Sequence, residues 1–85
     1  MTVNLLFLAS LADTLGQREA SIENGDSPMT VAGAIDHLAV LHGADWAEVL
    51  GSENVLTAVN QDLVSRSHVL NDGDELAFLP PVTGG

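Results

Sequence analysis

Hydrophobic residues between Thr2 and Ala9 fall on both sides of an extended chain, with Val3, Leu5 and Phe7 on one face and Leu6 and Leu8 on the other. A strand that is apolar on both faces belongs inside a sheet, so this segment is predicted as a central strand. Ser10 or Asp13 is predicted to cap a short helical turn that runs through Leu15 and stops at Gly16. Residues 19–23 alternate again, with Ala20 and Ile22 inward, and form a second strand close enough to pair with the first as a hairpin. Asn24-Gly25 and Ser27-Pro28 supply turn chemistry after it.

The period then changes. Thr30 reads as the N-cap of a helix in which Val31, Ile35, Leu38 and Leu41 or His42 recur at helical spacing. Gly43 takes the left-handed position that ends such a helix. Residues 45–50 are predicted as one further helical turn, with Trp46 and Val49 or Leu50 closing over the core. Alternation returns at 54–60, where Val55, Thr57 and Val59 oppose Leu56 and Ala58. A short strand at 63–65, a tight Asn71-Asp72-Gly73-Asp74 turn and a last strand at 75–79 follow, and Pro80-Pro81 stops that strand. The resulting order is β, β, α, β, β, β, with the last strand beside the first as a parallel neighbour. This is an α+β chain, a mixed sheet of about five strands with one main helix on one face.

A helix on one face assigns the sides of every strand. Leu5, Phe7, Val59, Leu76 and Phe78 are expected beneath the helix, and alternation sends Leu6, Leu8, Ala77 and Leu79 to the other side. Leu63 joins them. Leu8, Leu63 and Leu79 are therefore expected to form an exposed apolar patch where the chain leaves its last strand, and such patches mark interaction sites.

Composition narrows the partners. A chain of 85 residues allows one small domain, and a domain of that size buries only roughly 60–65% of its unfolded surface. Its 46% hydrophobic and 16% charged residues are those of a globular chain. Twelve acidic residues against two arginines give a net charge of −10, which argues against nucleic acid and anionic membranes and favours a basic protein surface. The absence of cysteine removes disulfides, thiolate metal sites and a cysteine nucleophile. The apolar run at 5–9 has no Lys or Arg before it and is short for a signal peptide, and no stretch approaches the ~20 residues of a membrane span. The expected location is cytoplasmic. His37, His42 and His68 are scattered, so no metal is expected, and Asp72, Asp74 and Glu75 read as a charged turn rather than a calcium loop. No Ser/His/Asp or paired-carboxylate arrangement stands out, so the chain alone is expected to catalyse nothing.

Residues 1–79 are thus expected to form the folded domain and 80–85 an extended, flexible tail. From Pro80 that tail reaches on the order of 20 Å at ~3.3–3.6 Å per residue. Gly84 and Gly85 lack Cβ atoms, so the tip can thread a channel too narrow for side chains and leaves the Gly85 carboxylate open to attack. A carboxylate is a poor acyl donor. Reaction with ATP gives an acyl-adenylate with AMP as leaving group, and a sulfur nucleophile then yields a thiocarboxylate. The chain has no nucleotide-phosphate loop, cysteine or lysine, so partner enzymes must supply that chemistry.

Three segments carry a resemblance: Ala58-Val59-Asn60-Gln61 with Leu63-Val64, Leu70-Asn71-Asp72-Gly73-Asp74-Glu75, and Ala77-Phe78-Leu79-Pro80-Pro81-Val82-Thr83-Gly84-Gly85. In these the chain resembles the MoaD/ThiS sulfur carriers, a ubiquitin-like β-grasp group that includes the small subunits of molybdopterin synthase. The resemblance implies that a ubiquitin-activating-like adenylyltransferase, using ATP, activates Gly85 and that the residue becomes a thiocarboxylate. It implies that the 80–85 tail enters a large synthase subunit, where sulfur passes to cyclic pyranopterin monophosphate in molybdenum cofactor biosynthesis. It further implies no cofactor held by the carrier itself, and a heterotetramer of two carriers and two large subunits. Other readings are a sulfur carrier for thiamin thiazole or another thio-compound, a ubiquitin-like modifier joined through Gly85 to target lysines, and an interaction domain with an inert tail.

Overall fold

In chain order the elements are β1 (Thr2–Phe7), α1 (Ser10–Leu15), β2 (Glu19–Glu23), β3 (Met29–Thr30), α2 (Val31–His42), α3 (Ala44–Leu50), β4 (Leu56–Val59), β5 (Asp62–Val64), β6 (Val69–Leu70) and β7 (Glu75–Leu79). They come from a computed structural model that describes residues 1–25 and 28–80. Five strands form a mixed sheet in the order β2-β1-β7-β4-β5, which places the doubly apolar β1 in the interior. β1 runs antiparallel to β2 and parallel to β7, so Leu5 stands opposite Leu76 and Phe7 opposite Phe78.

One face of this sheet carries the core. Leu5, Phe7, Leu76 and Phe78 are almost wholly buried there, together with Val31, Ala34, Ile35 and Leu38 of α2. Phe7 stacks on Phe78 at 5.7 Å and meets the edge of Trp46 at 5.3 Å, each contact adding about 0.5–1.5 kcal/mol beyond area burial. Thr30 caps α2 as expected, its Oγ1 accepting from the Gly33 N–H at 3.1 Å.

The apolar stripe of α2 ends earlier than its spacing suggests. Leu41 and His42 are exposed, and the core beyond Leu38 is filled instead by Trp46 and Leu50 of α3. Gly43 has a positive φ of 106°, but its ψ of 173° is extended rather than left-handed helical. It has to close α2 and open α3 at once: its N–H donates to the Ala39 carbonyl while it serves as N-cap of the next helix.

The cap of α1 also differs from expectation. Neither Ser10 nor Asp13 caps it; the N-cap is Ala9, whose side chain has no oxygen to offer. A tight turn takes over, in which the Leu11 N–H donates to the Leu8 carbonyl at 3.1 Å. The C-terminal stop at Gly16 is left-handed, with φ 76°, as predicted. The hairpin expected between the first two strands is a β1–β2 pair with α1 inside its connection.

A second sheet of two short strands pairs β3 with β6, Met29 opposite Leu70 and Thr30 opposite Val69. The chain just before β6 serves α2 as well: the Val31 and Ala32 N–H groups donate to the carbonyls of His68 and Arg66, filling two of the donor positions that a helix start leaves open. The Arg66 guanidinium donates to the carbonyls of Leu50, Gly51, Ser52 and Val55, tying this loop to the end of α3.

Candidate docking face at the end of the last strand

Among the described residues, the side chains on the sheet face opposite α2 lie outside the helix-covered core. Strand register assembles that face from both halves of the chain. Leu6 pairs with Ala77, Ala77 with Ala58 and Ala58 with Leu63, so one row crosses four strands. A second row pairs Leu79 with Leu56. Leu8 lies one residue past the β1–β7 ladder and remains tied to β7 by its N–H to the Phe78 carbonyl at 3.0 Å.

Of the residues expected in the patch, Leu63 is 67% exposed, Leu8 is 38% exposed, and Leu79 and Pro80 are half-buried. All three leucines fall on the same face. Pro81, Val82, Thr83, Gly84 and Gly85 lie outside the described residues. Leu56 was not singled out from the sequence, yet it is 40% exposed and sits opposite Leu79. Its alternation with Val55 and Thr57 indicated the face; the β4–β7 register that brings it beside Leu79 had no signal in the chain. In the first row the two middle residues are alanines, 6% and 8% exposed, between leucines at the ends. Small side chains at the centre of the row and larger apolar ones at its ends make it a trough in side-chain size.

The register of Leu63 depends on the β4–β5 turn, where Asn60 and Gln61 both have positive φ. Asn60 is fixed there by its own side chain: Nδ2 donates to Asp74 Oδ1 at 2.9 Å, and Oδ1 accepts from the Glu75 N–H at 3.1 Å. Asp74 Oδ2 accepts from the Asn71 N–H, and Asp72 Oδ1 from the Thr2 N–H. The acidic turn therefore binds the protein's own backbone.

The open face is polarised along its strands. Away from β7's end it is polar and acidic, with Thr2 bonded to Glu23 and Asn4 opposite both Ser21 and Glu75. Towards Leu79 it is leucine and alanine. Among the described residues no three His, Cys, Asp or Glu side chains gather as a metal site, and His42 instead stacks on Trp46 at 3.9 Å. Among those residues, too, no helix is long and apolar enough to cross a membrane. The arrangement leaves Leu8, Leu56 and Leu63 exposed on the side of the sheet where β7 ends.

Residues 5–85 match the ThiS family. The chain belongs to that family. As a ThiS-family chain it is 43% identical to the molybdopterin synthase sulfur carrier subunit of Escherichia coli, over 98% of this chain and 99% of that one. It superposes on the crystal structure of SAMP1 from Haloferax volcanii with a TM-score of 0.82, covering all of both chains at 29% identity. The fold also matches, at a TM-score of 0.65 and 23% identity over the full length of both chains, a structure of the complex of subunits 1 and 2 of the molybdopterin-converting factor from Helicobacter pylori. The α+β architecture expected from the sequence, a mixed five-stranded sheet of ubiquitin-like type, is the one observed.

Proposed function

We propose that this chain is the sulfur-carrying subunit of a two-component molybdopterin synthase. The similarity to the Escherichia coli carrier over almost the whole of both chains is the observation that carries this reading. In it, the Gly85 carboxylate attacks the α-phosphorus of ATP on an adenylyltransferase of the ubiquitin-activating type, releasing pyrophosphate. A sulfur nucleophile then displaces AMP and leaves a thiocarboxylate at Gly85. The large synthase subunit receives the tail, Pro80 to Gly85, and sulfur passes to cyclic pyranopterin monophosphate in molybdenum cofactor biosynthesis.

The open trough supports this reading, because a carrier that delivers its terminus into a partner needs a holding surface at the root of the tail. Leu8, Leu56, Leu63 and Leu79 occupy that position. The net charge of −10 suits a basic partner and speeds encounter with it. The carrier itself binds no cofactor in this scheme, its ATP is consumed by the activating partner, and the cytoplasm is the compartment that fits a cysteine-free acidic chain.

The likeness to the small archaeal modifier protein 1 of Haloferax volcanii favours one second reading, attachment of Gly85 to lysines of other proteins. Intact-mass measurement after incubation with adenylyltransferase, ATP and a sulfur source separates the two. The carrier reading expects an oxygen-for-sulfur mass gain on this chain, lost when one residue is added after Gly85. Adducts on other proteins, without that gain, would establish the modifier reading instead.

A further inference from the structure

Beside the trough, a groove of about 670 Å³ opens between the end of β1, α1 and the start of β2. Leu6, Leu8 and Ala12 give it apolar lining; Asp13, Arg18 and Glu19 give it charge. Leu6 and Leu8 belong to both surfaces, so the groove continues the docking face around the edge of the sheet. Its mouth is shaped by Ala9, whose φ of 51° and ψ of −129° are those of a turn position that glycine ordinarily fills.

Arg18 is the unusual member. The chain has two arginines and no lysine against twelve carboxylates. Arg66 spends its guanidinium on backbone carbonyls. Arg18 is exposed, and its side chain makes no hydrogen bond or ion pair with any described residue, although Asp13 and Glu19 line the same groove. A cation left unpaired on so acidic a surface, at the edge of an apolar face, has all its N–H donors free for a carboxylate brought from outside.

We propose that this groove receives a carboxylate-bearing segment of the carrier's protein partner, and that Arg18 is the residue that recognises it. The proposal rests on the carrier reading above and adds a second contact to it. General attraction between an acidic carrier and a basic partner gives affinity without orientation. One cation that must meet one carboxylate fixes the register in which the trough and the tail engage. Arginine is also among the residues that interfaces favour over the rest of the surface.

The two models predict opposite signs for one substitution. Arg18→Glu moves the net charge from −10 to −12, which general attraction to a basic partner converts into tighter binding. Recognition of a carboxylate by Arg18 predicts the reverse, a loss of about tenfold or more, with Arg18→Gln falling between it and the unaltered protein. The measurement is calorimetric titration of the full chain into the large subunit of molybdopterin synthase, with thermal melting of each variant as a check on the fold. Equal or tighter binding by Arg18→Glu overturns the proposal while leaving the carrier reading intact. Absence of binding by the unaltered chain overturns the carrier reading itself.

Discussion

The two faces of the sheet are built from the same strands by the same alternation, and they have opposite fates. On the helix side, Phe7, Leu76 and Phe78 meet α2 and α3 and are sealed. On the other side, Leu6, Ala77 and Leu79, each one residue away, lie outside that core among the described residues. The difference is what stands opposite, since both sets are apolar. A sheet needs one face covered to be stable, so leucines retained on its second face are available to another molecule. The side chains also differ in kind: aromatic rings interlock beneath the helix, whereas leucines flank alanines on the open side.

The largest effect that tests this contrast is on the closed face. Phe78→Ala removes a fully buried ring that stacks on Phe7, and an expected loss of about 3–5 kcal/mol takes much of the stability of a domain this small. Urea unfolding followed by circular dichroism measures it; a loss below about 1 kcal/mol would mean that the closed face is not the core.

Leu63→Asp makes the opposite trade on the open face. Leu63 is mostly exposed on a short edge strand, so folding stability should stay within about 0.5 kcal/mol of the unaltered chain. Affinity for the large subunit should fall by about 2 kcal/mol, the size of an interface hot spot. An unfolded variant would place Leu63 in a second core, and full affinity would remove it from the docking face.

These faces were largely legible in the sequence, because alternation reports a side chain's side without any knowledge of its neighbour. Leu8 and Leu79 were placed on one face that way, Leu63 was added to them only as the residue that follows the third strand, and Thr30 announced its helix by type and position. What alternation does not carry is register. Leu56 reaches the patch only because β4 pairs with β7 at Leu79, a contact between residues far apart in sequence. The β3–β6 pair was invisible for a different reason: two residues per strand are too few to show a period. Arg66 gave no signal either, since its partners are carbonyls, which every residue possesses.

Ala9 is the least legible position and gives the smallest expected effect. Leucine and alanine at 8 and 9 read as a continuation of β1, yet the chain turns there with positive φ on a residue that carries a Cβ. Such a conformation costs of order 1–3 kcal/mol for an L-residue, and glycine would remove much of that cost while giving back about 0.5–1 kcal/mol in chain entropy. Ala9→Gly should therefore stabilise the fold by about 1 kcal/mol or less, read as a small rise in melting temperature. The same change loosens the turn that holds Leu8 between the trough and the groove, so tighter folding should come with weaker docking. A rise in both would show that the strain at Ala9 has no part in presenting Leu8. A rise in one with a fall in the other would tie that strain to the open face, where a folded chain has kept apolar surface uncovered.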